Sequence, residues 1–335
     1  MRVPVRRAAV LAAAVVALLL AVLLSLAVGA RAVAPSAVLD ALLHGGHGGH
    51  GGSAEVVREM RVPRTVIGVL VGASLALAGT VLQGMTRNPI ADPGILGISQ
   101  GASVGVVLAI AFAGVHTLPG YVWWAFTGAG AASVAVHAIA AAGRGGATPV
   151  KLALGGAAIN ALLVSVTTAV LTTRAAALDE FRFWQVGSLS GRDAGIVGQL
   201  WPFLLVGLVL VLAVARGLDA LALGEDVAKG LGQNVAAVRV VGGIGATVLT
   251  GAGVAAAGPI AFIGLAVPHI ARALIGTDHR WLLPLAATLG PVMLLVSDTA
   301  GRIVFPPGEV PAGVMTALIG VPFLVTLARR RTVAA

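Results

Sequence analysis

Three histidines spaced three residues apart, His44, His47 and His50, sit in a run of glycines. Neutral imidazoles are good ligands for zinc, copper or nickel, so these residue types suit a metal. Glycine spacing supplies no preorganisation, and the segment reads as a low-complexity insert with no resident metal expected. Other routes to chemistry are narrower. The chain has no cysteine, which removes thiolate metal sites and a Cys nucleophile. Gly72-Ala73-Ser74-Leu75 is a near miss of a Gly-x-Ser-Gly nucleophile motif, without a plausible membrane-embedded histidine base to serve it. Lys151 and Lys229 are the only lysines, and neither lies in a phosphate-cradling Gly-x-x-x-x-Gly-Lys-(Ser/Thr) loop. Any ATP hydrolysis must come from another chain, and no catalytic residue is expected in this one.

The elements that would carry these residues are apolar helices. With 58% hydrophobic and 10% charged residues and a mean hydropathy of +0.99, a chain of 335 residues cannot cover a soluble globule with polar surface. It reads as an all-α polytopic membrane protein forming one transmembrane domain over 1–335. Ten apolar segments of spanning or near-spanning length lie near 8–30, 64–84, 94–114, 121–141, 150–172, 195–215, 237–257, 260–275, 281–300 and 308–328. The first follows Arg2, Arg6 and Arg7, and its apolar run is longer than a signal-peptide core, so it reads as a retained span. An even number of spans puts both termini on one side. Placing them in the cytoplasm leaves 14 of 22 basic residues inside against five of 13 acids, an inner excess of nine, as the positive-inside rule demands. Net charge +9 therefore sets orientation rather than nucleic-acid binding, because the basic residues are scattered between apolar runs.

Abundant small residues suit close helix packing, where lipid supplies no hydrophobic drive for association. Gly68, Gly72 and Ala76 form one ridge, and Gly101 with Gly105 another. Pro89-Ile90-Ala91 follows the second segment and Pro259-Ile260-Ala261 the seventh, as five-span inverted repeats would place them.

The stretch RVPRTVIGVLVGASLALAGTVLQGMTRNPIADPGILGISQGA, from Arg61 to Ala102, carries an ordered set of motifs, joined later by FWQVGSLSGRD from Phe181, LALGEDVAKGLGQNV from Leu221 and AGPIAFIGLAVPHIAR from Ala257. Together they resemble the FecCD-type permeases of ATP-driven importers for ferric siderophores, haem and cobalamin, from about Arg61 to the end. The resemblance implies the fold of a type II importer permease in the bacterial cytoplasmic membrane. It also implies two permease subunits, identical or paralogous, over two ATPase subunits that use ATP and magnesium. A periplasmic or lipid-anchored binding protein would deliver cargo, and no cofactor would be bound by this chain.

Three constellations follow. Arg61, Arg64 and Arg302 are expected at the outer mouth, where the resemblance implies docking of acids on the binding protein; bidentate pairing with carboxylates suits arginine. Asp298, four residues before Arg302, reads as a structural ion-pair partner rather than a proton carrier. The inner loop 217–236 carries Leu223, Val227 and Leu231 at i, i+4 and i+8, an apolar stripe on a short helix. That helix would begin with Glu225 and Asp226 after Gly224 and end at Gly230 and Gly232. The resemblance implies that it seats in the ATPase. Nearby His269 reads as helix-end packing. Arg87-Asn88-Pro89 and Asp92-Pro93 break the chain between the second and third segments; with Gln83, Ser99 and Gln100 they are the candidate gate and pathway residues. The His/Gly-rich insert in the outer loop 31–63 departs from the family pattern. A ferric siderophore is the expected cargo, with haem or cobalamin as alternatives. An ion-driven secondary transporter is the rival class, but it would need several ionisable groups at mid-membrane where only Asp298 qualifies.

Overall fold

A computed structural model describes residues 3–29, 33–43, 54–142, 148–192, 194–305 and 308–332. His44, His47 and His50 lie outside the described residues. Helices in chain order are α1 (Val3–Ala27), α2 (Pro35–Leu43), α3 (Val62–Thr86), α4 (Ile98–Ala113), α5 (Leu118–Ala141), α6 (Pro149–Thr173) and α7 (Ala175–Gln185). They continue as α8 (Ala194–Ala213), α9 (Ala215–Ala222), α10 (Glu225–Gly230), α11 (Val235–Ala257), α12 (Ile263–Ile275), α13 (His279–Val304) and α14 (Ala312–Thr332). No strand occurs among the described residues.

Seven helices, α1, α3, α5, α6, α8, α11 and α13, are long and apolar enough to cross a membrane, and α4, α12 and the first part of α14 are shorter apolar helices. Among the described residues, each of these helices overlaps one of the apolar segments read from the sequence. Three short helices, α2, α7 and α9, were not separable from loops by hydropathy, whereas α10 is the short helix expected after Gly224. Helix α3 starts earlier than its apolar run suggests, because the wide turn Val56–Arg61 feeds directly into it. Pro63 does not break the entry, since proline is tolerated in a helix's first turn. The described part of 31–63 is accordingly more than a loop: Val38 and Ala41 of α2 pack with Leu26 and Val57 in a small buried cluster.

Helices α3 and α11 form the centre and are buried along most of their length, whereas α1, α6 and α8 expose apolar faces. The small-residue ridges explain how backbones approach without a hydrophobic drive. Gly72 lies against Gly290 and Pro291 of α13, where an added Cβ would stand 2.7 Å from the Pro291 Cα. A Cβ on Gly79 would overlap the Gly264 carbonyl of α12. Gly101 and Gly105 likewise meet Gly128 and the Trp124 carbonyl of α5.

The two Pro-Ile-Ala tripeptides follow these two central helices. Arg87 (φ 50°) ends α3 and Gly258 (φ 76°) ends α11. The second break lies inside the protein, where unpaired backbone groups need protein partners. Ser188 N–H donates to the Ala257 carbonyl at 2.8 Å, and Gly313 N–H to the Gly187 carbonyl at 2.9 Å. Phe181, Trp184 and Leu189 are buried beside it. The FWQVGSLS segment is thus the brace for the α11–α12 break.

Candidate functional site

Polar side chains gather at two opposite ends of the helical bundle. At the first, the C-terminal ends of α1 and α13 meet the start of α3. Ser25 sits on the last turns of α1, and its hydroxyl is 2.8 Å from that of Thr65 on α3. Arg302 reaches α1 from α13. Its Nη1 donates to the Ser25 and Val28 carbonyls at 2.9 and 3.0 Å, and its Nη2 to Ser25 Oγ at 2.9 Å and Asp298 Oδ2 at 2.8 Å. Arg64 grips the same carboxylate, with Nε on Oδ2 at 2.9 Å and Nη2 on Oδ1 at 2.8 Å, while its Nη1 reaches Glu309 at 2.8 Å. Asp298 is fully buried. Two arginines therefore neutralise one acid with good geometry, as a buried charge requires. Arg61, also buried, donates from Nη1 to the Leu26 carbonyl at 2.7 Å.

The sequence-predicted trio is brought together here, but the geometry separates its members. Arg61 and Arg302 hold the end of α1 against α3 and α13, and Arg64, with 11% of its side chain exposed, is the one nearest solvent. A cavity of about 400 Å³ opens beside them, lined also by Glu59, Met60, Ser190, Gly191, Arg192 and Glu309. Arg192, on the α7–α8 connection, was not singled out from sequence. The only signal was its place in the Gly-Ser-Leu-Ser-Gly-Arg run.

At the opposite end, Gln83 on α3 is a hub. Its Nε2 donates to the carbonyls of Ala91, Gly264 and Leu265 at 3.2, 3.2 and 3.3 Å, and its Oε1 accepts from Arg272. Gln83 and Pro89 line a cavity of about 310 Å³ with Arg87, Arg272 and His279. The other pathway candidates do not converge on it. Asn88 Oδ1 accepts from Ile90 N–H at 3.1 Å and Asp92 Oδ1 from Gly94 N–H at 2.8 Å, so both are spent shaping the turn. Pro93 is buried against Gly264, and Ser99 and Gln100 are half-buried in the first turn of α4. His269 Nδ1 lies 3.2 Å from the Leu265 carbonyl one turn earlier, a helix contact. No group of three or more possible metal-holding His, Cys, Asp or Glu side chains occurs among the described residues.

Beyond this cavity, α9 and α10 form an outlying hairpin. Gly224 (φ 114°) and Gly232 (φ 78°) bound α10 in conformations that favour glycine. Ala228 is buried, while Leu223, Val227 and Leu231 are 63%, 49% and 61% exposed, an uncovered apolar stripe. Glu225 pairs with Arg239 of α11 at 2.8 Å and with Lys229 at 3.3 Å. The Arg239 hydrogen bond holds the Glu225 carboxyl below the usual carboxylate range. Asp226, beside it, is exposed. His279 Nδ1 on α13 sits 2.6 Å from Asp219 Oδ1 on α9, tying this hairpin to the core.

Apolar helices packed on small residues, seven of them among the described residues long enough to cross a membrane, with a cation-rich cavity at one end and an uncovered apolar helix face at the other, mark a multi-pass membrane permease. The chain belongs to the FecCD transport family, whose profile matches residues 17–330. It is 43% identical over 307 residues to the iron(3+)-hydroxamate import system permease protein FhuB of Bacillus subtilis (strain 168), covering 92% of this chain and 79% of that one. It is 41% identical over 310 residues to the ferric enterobactin transport system permease protein FepD of Escherichia coli (strain K12), covering 92% and 91%. A solved inward-facing conformation assigned to a metal-chelate type ABC transporter superposes with TM-score 0.79 at 27% identity, covering 96% of this chain and 98% of that one.

Proposed function

We propose that this chain is the permease subunit of an ATP-driven importer that moves a ferric siderophore across the bacterial cytoplasmic membrane by alternating access. The observation that carries the reading is the pairing of two unlike ends: a cavity of arginines beside Arg64 and, at the other end, the exposed stripe Leu223, Val227 and Leu231. Under this reading the stripe, with Gly224, Glu225, Asp226 and Gly232 setting its helix, seats in a separate ATPase subunit that uses ATP and magnesium. The arginine end, with Arg61, Arg64 and Arg302, receives a substrate-binding protein. A second permease, the same chain or a paralogue, completes the pore. This chain binds no cofactor, and both its termini lie in the cytoplasm.

ATP binding closes the ATPase pair, and α10 passes that movement through the Asp219–His279 contact to α13. The pore is thereby biased between outward- and inward-open states. Around the inner cavity, Gln83 and Pro89 are the gate residues this reading favours, because α3, α12 and the intervening turn all meet there. The siderophore cargo is supported by what the FhuB and FepD relatives are named for. Ion-driven transport is disfavoured because Asp298, the acid best placed to carry a proton, is clamped by two arginines.

The test is uptake of radiolabelled ferric siderophore, haem and cobalamin in a deletion strain beside its complemented parent. Selective loss of siderophore uptake, restored by the gene but not in cells lacking the ATPase, is the expected result. Selective loss of haem or cobalamin uptake would move the cargo, and uptake independent of the ATPase would overturn the mechanism.

A further inference from the structure

We propose that the cavity beside Gln83 is a binding site for a phosphate-type oxyanion, carried on an anionic lipid headgroup or free in solution, and that the occupant joins the α9–α10 hairpin to the core. Its wall comes from the end of α3 and the turn after it, from α9 through Ala222, from α12 through Arg272 and from the start of α13 through His279. Arg87 and Arg272 bring two guanidinium groups to it. Arg87 ends α3 with φ 50°, a left-handed conformation that is uncommon for a residue with a side chain. From there its Nη1 comes to 3.9 Å from where a Cβ on Gly224 would stand, so the guanidinium reaches towards the hairpin. Arg272 donates to Gln83 Oε1 and is tied to α3. His279 ties α13 to α9 through Asp219, whose Oδ1 lies 2.6 Å from His279 Nδ1 and accepts the His279 backbone N–H at 2.9 Å.

Among the described residues no acidic side chain lines this cavity, and the rest of the chain has none to add. Of the 13 acids only Asp193 lies outside the described residues, and it directly follows Arg192, which lines the cavity at the opposite end of the bundle. Acids on the surrounding elements are placed elsewhere. Asp219 is against His279, Asp278 pairs with Arg7 at 3.0 Å, Glu225 pairs with Arg239 and Lys229, and Asp92 turns its Oδ1 to Gly94 N–H. Asp226 is exposed on α10. Two cations lining a cavity of about 310 Å³ therefore set a positive potential inside it. Guanidinium forks match carboxylates and phosphates. A tetrahedral phosphate group has oxygens for two forks arriving from different walls, whereas the edge of one carboxylate is filled by one fork. The cavity lies where apolar helices end, beside Ile90, which is 64% exposed, and basic pockets in such places take lipid headgroups as well as free anions. An oxyanion held by Arg87 and Arg272 next to Ala222 fills the gap between hairpin and core.

The experiment follows thermal unfolding of the full chain. Inorganic phosphate is titrated in neutral detergent against sodium chloride at equal ionic strength, which separates site binding from screening. Nanodiscs of phosphatidylcholine, with and without about a quarter phosphatidylglycerol, supply the lipid form. A melting temperature raised more by phosphate than by chloride assigns the free anion, and one raised only by phosphatidylglycerol assigns the headgroup. In either case hydrogen exchange across residues 215–234 is expected to slow. Arg87→Asn is expected to weaken the binding by about tenfold or more. Asparagine is the replacement because it tolerates the left-handed conformation. Ala222→Asp, at an exposed position of the wall, is expected to abolish the binding with both arginines intact. Arg280→Gln, exposed and outside the lining, should retain it. Equal effects of phosphate and chloride, together with no effect of phosphatidylglycerol, would overturn the proposal. So would an anion effect that survives Arg87→Asn or Ala222→Asp, or one that Arg280→Gln removes equally. Loss of ATPase co-purification in Arg87→Asn without any anion effect would assign Arg87 to that contact and overturn it as well. The anion readouts need neither uptake nor an ATPase, so failure of this site and failure of the transport reading are told apart.

Discussion

Arg64 and Asp298, 234 residues apart in the chain, form a two-bond guanidinium–carboxylate clamp between the start of α3 and the last turns of α13. Arg302 shares the same carboxylate from one turn further along α13, and through Ser25 draws in the end of α1. One buried acid thus fastens three helices at this end of the bundle. Mutating it separates structural from docking roles.

Asp298→Asn leaves two arginines facing a neutral amide in a buried site. Breaking a buried pair by removing one partner costs about 3–5 kcal/mol. The expected outcome is a lower melting temperature and poor yield of folded protein in detergent, measured by thermal unfolding of the purified permease. Unchanged stability would show that Asp298 is not the fastener.

At position 64 the choice of substitution matters. Arg64→Glu would set a third carboxylate against Asp298 and Glu309, so any docking defect would be mixed with misfolding. Arg64→Gln keeps hydrogen-bonding capacity. It is expected to weaken binding-protein docking, read by surface plasmon resonance on the nanodisc complex, with a smaller stability loss than Asp298→Asn.

Replacing Leu223 or Val227 by Asp should leave the fold unharmed, because both side chains already face solvent. If the stripe seats in the ATPase, each charge would be buried in that interface and weaken assembly by about tenfold or more, equivalent to about 1.4 kcal/mol. Co-purification of the ATPase with the tagged permease measures this, and full recovery of the ATPase would refute the coupling assignment.

Gly79→Val is expected to abolish folding or force α3 and α12 apart, since even a Cβ there overlaps the Gly264 carbonyl. Gly198→Ala, in the exposed part of α8 with open space around it, should be neutral or stabilising by up to about 1 kcal/mol. Comparing melting temperatures of the two variants distinguishes glycine needed for close approach from glycine that is merely frequent.

The Glu225–Arg239 tie predicts an acid limit for the α10 segment. Because the folded pKa of Glu225 is depressed, the contribution is present above the ordinary glutamate pKa, about 4.3, and is lost as pH falls through the lower folded value. Hydrogen exchange of residues 225–234 should stay slow at pH 5 after correction for intrinsic rates, and rise only at more acid pH. Arg239→Ala should move that rise to higher pH.

Several features were legible without coordinates. Periodicity placed ten apolar segments, and the i, i+4 spacing paired Asp298 with Arg302, because both depend on residues close in sequence. Gly224, Gly230 and Gly232 bounded a short helix for the same reason: their conformational preferences act locally. The start of α3 was misjudged because a wide turn rich in charged residues carries no apolar signal.

What the sequence by itself determined was how much of the chain is apolar, where helices run and break, and which motifs recur in order. Only the tertiary structure decided which arginines are spent. Arg302 is consumed by α1 and Asp298, Arg64 is divided between Asp298 and Glu309, and Arg192 lines the cavity from the α7–α8 connection. It also decided that Gln83 ties α3 to α12, while Ser99 and Gln100 stand apart from that cavity. The physical reason is that a charge or amide is defined by its desolvation and its partners. In this fold those partners come from helices up to 277 residues away in the chain.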